Sequence, residues 1–453
     1  GGTGCAERDL RGDGQTLSLV PAEETRSADR VTNRVNRRRL MKAAAASAAA
    51  AAFPKPLIAQ AKPQVVIVGG GFGGTSCARA LRKFDPKIAV TLVEARPIYT
   101  APPHSNAVLA GLADIKSQQF GYDAIKAMGV EVIFSPLAGI DYRRRLLLLG
   151  DNRNLLFDRL VISPGITFQP DALEGYDSAA MAVMPPAFTS NDEIETLRRQ
   201  LVAMNDGDAV IITVPVNPAR CPPAPYERAS LVAHYLKHNK PRSKVIILDA
   251  KDSFTMQKLF QAAWQELYPG LIEWVGLSDG GAPTRVDVET RTVTTDFDKF
   301  TGGVVNIIPP QRAGDAARIA GVADRTGWCP VDPLTFESTL RKDVHVIGDA
   351  AIAGAMPRSA SAAQSQGAIC AAAIAVLLAG QKPATPILRS SCFSLIAPDY
   401  AISQRGSYKP ADGQYVEADP VIISAADAPR AVRAKEAREA DDWFHSITRE
   451  TFG

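Results

Sequence analysis

Two hydrophobic rhythms alternate along this chain. Short apolar runs at residues 65–68, 88–93, 160–162, 209–214, 245–249, 304–308 and 344–347 are rich in Val, Ile and Leu. Runs of this kind read as strands buried on both faces of a parallel sheet. Helical segments lie between them: one begins directly after the first run, and others span 226–238 and 360–378. Weaker signals place a strand at 130–134 and hairpin-like pieces at 140–149 and 156–157. Strands at 391–396 and 400–403 precede a charged helix that opens near Asp427-Ala428-Pro429, with Asp427 as its cap.

The pattern predicts an α/β protein with two Rossmann-like domains and a smaller C-terminal α+β domain. The expected divisions are 1–61 as an N-terminal extension, 62–170 and 301–385 as two parts of one nucleotide domain, 171–300 as a second Rossmann-like unit, and 386–453 as the C-terminal unit.

The turn after the first run carries Gly69, Gly71 and Gly74 in G-x-G-x-x-G spacing. The first glycine permits the tight turn, the second lets backbone approach a pyrophosphate, and the third lets helix pack on strand. The helix N-terminus offers free N–H groups to phosphates. Glu94, at the end of the next strand, is placed to accept from ribose hydroxyls. This constellation predicts a dinucleotide site but does not choose between FAD and NAD. The strand at 160–162 ends in Ser163-Pro164-Gly165, a step that in flavoproteins with two such domains returns the chain beside the flavin. The late strand ends in Gly348-Asp349, which in FAD enzymes of the glutathione-reductase type sets an acid by the ribityl chain. In the second unit the equivalent turn reads Val214-Pro215-Val216-Asn217-Pro218-Ala219-Arg220-Cys221. Prolines remove N–H donors and side chains block a pyrophosphate, so this half is expected not to bind NAD(P)H.

Composition adds less. With 46% hydrophobic residues, 22% charged residues and a net charge of +3, the chain has an ordinary globular balance and no signal for nucleic acid. His234 and His238 share a helix face without further ligands, and no metal site is expected. The N-terminal extension is more telling. Arg37-Arg38-Arg39-Leu40-Met41-Lys42, an alanine-rich run and Ala59-Gln60-Ala61 form the three regions of an export signal of twin-arginine type. Cleavage after Ala61 would deliver the mature protein to the periplasm with no integral membrane segment. Disulfides persist in that compartment.

Six cysteines are present. Cys5 lies in the extension. Cys77 and Cys370 fall in predicted helices among small apolar residues and read as inert thiols; Cys392 is ambiguous. Cys221 and Cys329 each precede a proline in a loop. In an exported flavoprotein without a nicotinamide site, a redox-active disulfide between them would relay electrons from a thiol-like donor. A plain structural disulfide is the alternative.

The runs 220–228 (RCPPAPYER), 327–331 (GWCPV) and 345–350 (HVIGDA) resemble the flavoprotein subunit of flavocytochrome c sulfide dehydrogenase. Ile307-Ile308-Pro309-Pro310-Gln311, Ala397-Pro398-Asp399-Tyr400 and Trp443-Phe444 fit as well. The resemblance spans roughly residues 62–453. It implies FAD, oxidation of sulfide to sulfane sulfur, and electron transfer to a separate c-type cytochrome subunit. It assigns the redox disulfide to Cys221 and Cys329, a proton acceptor to Glu227, the ADP half of FAD to Gly69, Gly71, Gly74 and Glu94, and the flavin side to Gly165, Gly348 and Asp349. Many members attach FAD through a cysteine in Tyr-x-x-Cys-Pro-x-Ser-Asn. Here the stretch is Tyr99-Thr100-Ala101-Pro102-Pro103-His104-Ser105-Asn106, so Pro102 implies non-covalent FAD. Two rival readings use the same parts. One is an accessory flavoprotein of a sulfur-oxidising (thiosulfate) system acting by thiol–disulfide exchange. The other is a sulfide:quinone-type oxidoreductase, which the charged segment 430–442 argues against.

Overall fold

The computed structural model describes residues 62–189 and 191–453; the expected export signal lies outside them. Each apolar run forms its strand. Gln64–Val68 is central to a five-stranded sheet, flanked by Ala89–Glu94 and then Glu131–Phe134 on one side, and by Arg159–Ile162 and then Val344–Val346 on the other. Every pairing in it is parallel. Val65, Val66, Ile67, Leu160, Val161 and Ile162 are buried, as strands covered on both faces require.

Two helices cover one another against this sheet. Phe72–Phe84 follows the glycine turn, and Ala360–Leu378 arrives from the far end of the chain. They cross closely: a Cβ on Gly367 would stand 2.3 Å from the Gly73 carbonyl oxygen. Ala360–Leu378 is long and apolar enough to cross a membrane, yet Ala362, Ala363, Cys370, Ala371 and Ile374 pack in the core.

The second sheet runs Ile272–Val275, Lys244–Asp249, Ala209–Val214, Val304–Asn306, again all parallel. One expected boundary is thereby corrected. Val304–Asn306 pairs with Ala209–Val214 and completes the second sheet, so the chain rejoins the first sheet only at Val344–Val346. An apolar run has no local feature that says which of two parallel sheets it joins.

The C-terminal unit pairs Leu388–Ala397, Tyr400–Ala411 and Gln414–Glu417 as antiparallel strands, followed by the helix Arg430–Phe452. Asp427 is not its cap. The helix starts at Arg430, with extended Pro429 as N-cap and no side-chain cap bond. Pro429 cannot donate an N–H, so its own carbonyl opens the helix. Near its end Phe444 stacks on His104 with ring centroids 4.2 Å apart, and Phe452 packs on Phe72, Tyr99 and Phe120. These contacts seat the C-terminal unit against the first nucleotide domain.

Candidate active site

One cavity of about 280 Å³ runs from the glycine turn to a pair of cysteines. At its first end Gly69 has φ +103°, and a Cβ there would stand 2.1 Å from the Ser163 carbonyl oxygen. A Cβ on Gly74 would stand 1.9 Å from the Gly69 oxygen. Both positions admit only glycine. The Glu94 carboxylate accepts from the backbone N–H groups of Gly70 (2.6 Å), Ala95 (2.9 Å) and Arg96 (3.2 Å). These three backbone donors fix the carboxylate beside the turn, at the wall of the cavity.

At the middle of the cavity lie Gly165 and Gly348, both at positive φ, and Asp349. The Gly348 N–H donates to Gln366 Oε1 at 2.7 Å. Asp349 Oδ1 is buried with no hydrogen-bond partner among the described residues. Burial pushes its carboxyl up, against the pull of Arg220 and Arg358. A buried acceptor left without a donor is the mark of a missing ligand group. The glycine cradle, the Glu94 acceptor and the orphaned Asp349 oxygen fit an FAD laid along this cavity. Pro102, Pro103 and His104 line the same cavity.

Cys221 closes the far end. It follows the proline-rich turn of the second domain and sits at φ +48°, a strained conformation for a residue with a Cβ. Its N–H donates to the Arg358 carbonyl at 2.7 Å. Its thiol lies beside that of Cys392, on the strand Leu388–Ala397, and this neighbour, ahead of burial, raises the Cys392 pKa. Both cysteines line the cavity.

Cys329 does not join them, and the expected Cys221–Cys329 pair is corrected to Cys221–Cys392. Cys329 is fully buried on a two-residue strand beside Ala351–Ile352. Burial pushes its thiol up to about 12, with Asp324 adding to the rise and Arg358 opposing it. Arg358 lies over the Trp328 ring at 4.0 Å and donates from Nε to the Asp349 carbonyl at 2.8 Å. The Cys-Pro pattern shared by Cys221 and Cys329 reflects two loop ends, not one site. Cys392 carries no motif; only its place on the first strand of the C-terminal sheet brings it to Cys221.

Glu227 lies at the cavity wall in the first turn of the helix Ala224–Asn239. Its carboxylate accepts from Asn106 Nδ2 at 3.1 Å and from the Leu395 N–H at 3.0 Å. Burial pushes its pKa up to about 7, which these two hydrogen bonds and Arg228 oppose. A carboxyl poised there can take up a proton near neutral pH.

The second domain presents nothing comparable. Asp249 ends its second strand, as Glu94 does in the first domain, but is fully buried. It accepts from Tyr226 Oη (2.5 Å), Trp274 Nε1 (3.0 Å) and Lys251 Nζ (2.7 Å). Phe254 stacks on Tyr226 with centroids 3.6 Å apart.

Two Rossmann-like domains, a cradle for FAD and a cysteine pair at its end define a flavin-dependent oxidoreductase of the glutathione-reductase type. The comparisons narrow that class. The family description "Sulfide dehydrogenase [flavocytochrome c] flavoprotein chain, central" matches residues 194–309. "Flavocytochrome c sulphide dehydrogenase, flavin-binding" matches 384–452, and "Pyridine nucleotide-disulphide oxidoreductase" matches 63–204. A flavocytochrome c sulfide dehydrogenase flavoprotein chain from Chlorobaculum thiosulfatiphilum is 60% identical over 45 residues, 10% of this chain and 94% of that sequence. Mitochondrial sulfide:quinone oxidoreductase of Mus musculus is 22% identical over 333 residues, 71% of this chain and 72% of that protein. The crystal structure of sulfide:quinone oxidoreductase from Aquifex aeolicus shares the fold, with a TM-score of 0.67 at 14% identity over 86% of this chain and 92% of that one. The chain belongs to the flavocytochrome c sulfide dehydrogenase family within the pyridine nucleotide-disulfide oxidoreductases.

Proposed function

We propose that this protein oxidises sulfide through a disulfide formed by Cys221 and Cys392, with non-covalent FAD as electron acceptor. The observation that carries the reading is the meeting of these two thiols at the end of a dinucleotide cavity. Hydrosulfide attacks one sulfur of the disulfide. That sulfur keeps the incoming one as a persulfide, and the other cysteine leaves as a thiolate. FAD, when bound, supplies the two-electron acceptor for that thiolate. Gly69, Gly71, Gly74 and Glu94 hold its ADP half, and Gly165, Gly348 and Asp349 its flavin side. Glu227 takes the proton that hydrosulfide gives up. Pro102, where many family members carry a flavin-linking cysteine, supports release of FAD on denaturation.

The destination of the electrons divides two readings. Likeness along most of the chain to sulfide:quinone oxidoreductases supports a quinone-type acceptor. The family matches over 194–309 and 384–452 support a c-type cytochrome and, with an export signal at 36–61, a periplasmic location. Anaerobic sulfide titration of the FAD-loaded protein tests the shared core. Flavin bleaching is expected in wild type and in Cys329→Ser, with a loss of about 1,000-fold in rate in Cys392→Ser. A wild type that sulfide leaves oxidised would overturn the proposal. Adding a short-chain quinone or cytochrome c to the reduced enzyme then separates the acceptors.

A further inference from the structure

Glu227 is held by groups from two other parts of the chain. Its Oε1 accepts from the N–H of Leu395, three residues beyond Cys392 on the same strand. Its Oε2 accepts from Asn106, buried on the short helix Ser105–Ala110 that follows the Pro102 loop. The amide of Asn106 is fully used. Its Nδ2 protons go to Glu227 Oε2 and to the Ala224 carbonyl, each at 3.1 Å, and its Oδ1 accepts from Arg228 Nε at 3.0 Å. Turning the amide over would set NH₂ against the guanidinium and an oxygen against two other oxygens. Only one orientation satisfies all three neighbours.

Arg228 enforces that orientation because it cannot move. It is buried, and its remaining nitrogens donate to Asn306 Oδ1 (2.7 Å) and to the carbonyls of Pro186 (2.8 Å) and Ala187 (2.6 Å). Asn306 is fixed in turn by the Pro185 and Pro186 carbonyls. We propose that Asn106 is the positioning residue of Glu227. Its amide, turned one way round by Arg228, holds the carboxylate at the cavity wall in its ionised, proton-accepting form. The role of that carboxylate in sulfide oxidation rests on the function proposed above.

The charged and titratable groups facing this cluster are Arg228 on the same helix, Cys221 from the preceding turn and Cys392 from the C-terminal strand, with Arg220 and Glu193 around Arg228. Asn106 contributes no charge, so its effect is that of a hydrogen bond given to the ionised form, which favours ionisation. Removing it leaves the buried carboxylate with the Leu395 N–H alone, and the proton is then held to higher pH.

The test reads Glu227 directly. Difference infrared spectroscopy of FAD-loaded enzyme without sulfide follows its carboxyl band, assigned by its loss in Glu227→Gln. In Asn106→Leu the midpoint is expected to rise by about one pH unit. Asn106→Asp keeps the acceptor for Arg228 and is the second variant to measure if the leucine variant fails to fold. It replaces the donor with a negative charge and should raise the midpoint further. A midpoint equal to wild type in a folded, FAD-loaded variant would overturn the positioning role. An upward shift in a protein that sulfide does not reduce supports the role and overturns only the sulfide reading. Where sulfide does reduce the flavin, the pH profile of that step should move in the alkaline direction with the infrared midpoint.

Discussion

The two Rossmann-like halves follow the same plan to different ends. Each has an apolar strand, a turn, a helix and a second parallel strand closing on an acid, Glu94 in one and Asp249 in the other. In the first half the turn is built from glycines so closely packed that a Cβ at Gly69 or Gly74 would strike a backbone oxygen. Glu94 is left at the cavity with its carboxylate on the Gly70 N–H. In the second half the turn carries Pro215, Pro218, Pro222 and Pro223, and Asp249 is consumed by Tyr226, Trp274 and Lys251. The acid at the strand end is thus left at the cavity in one half and enclosed by side chains in the other, and the turn between the strands differs with it. What the second half gains is Cys221, which its side-chain-bearing turn delivers to the cavity of the first.

The largest break in this contrast is expected from Gly69→Val. A branched side chain at φ +103°, against the Ser163 carbonyl, should cost about 4 kcal/mol. The protein should purify without flavin, as absorbance at the flavin bands will read. Asp249→Asn perturbs the matching acid of the second half. It removes the charge that pairs with Lys251 and weakens the acceptor for two aromatic donors, for a loss of about 2 kcal/mol in urea unfolding. Flavin content should stay at the wild-type level; a parallel loss would mean that the second half shares in cofactor binding. Glu94→Gln sharpens the contrast with the smallest effect. It keeps an oxygen for one side of the backbone donors, sets NH₂ against the other and gives up the charge, so FAD should bind about tenfold more weakly in a fluorescence titration.

Much of this was legible in the chain because it is local. The strands at 64–68, 89–94 and 209–214 and the helix at 360–378 rest on apolar runs bounded by turn residues. The cradle rests on three glycines and an acid at set spacings. Glu227 and Cys221 were named from one run, RCPPAPYER, and both reach the cavity. The cap of the last helix lies two residues beyond the expected Asp427, because an Asp near a Pro can begin a turn as readily as a helix.

The sequence by itself determined where the glycine cradle forms, because glycine is the one residue that permits those backbone approaches. It could not determine which cysteines meet. Cys221 and Cys329 look alike in their neighbours, while Cys392 sits in an unmarked run of Ser, Cys and Phe. Pairing of distant side chains depends on how the C-terminal sheet docks across the first two domains, and docking is decided by the summed packing of His104 on Phe444, Phe452 on Tyr99 and many contacts besides. For the same reason the Asn106–Glu227–Leu395 linkage had no trace in the chain. Its three members lie on separate segments, and only the tertiary structure brings one amide and one N–H to the same carboxylate.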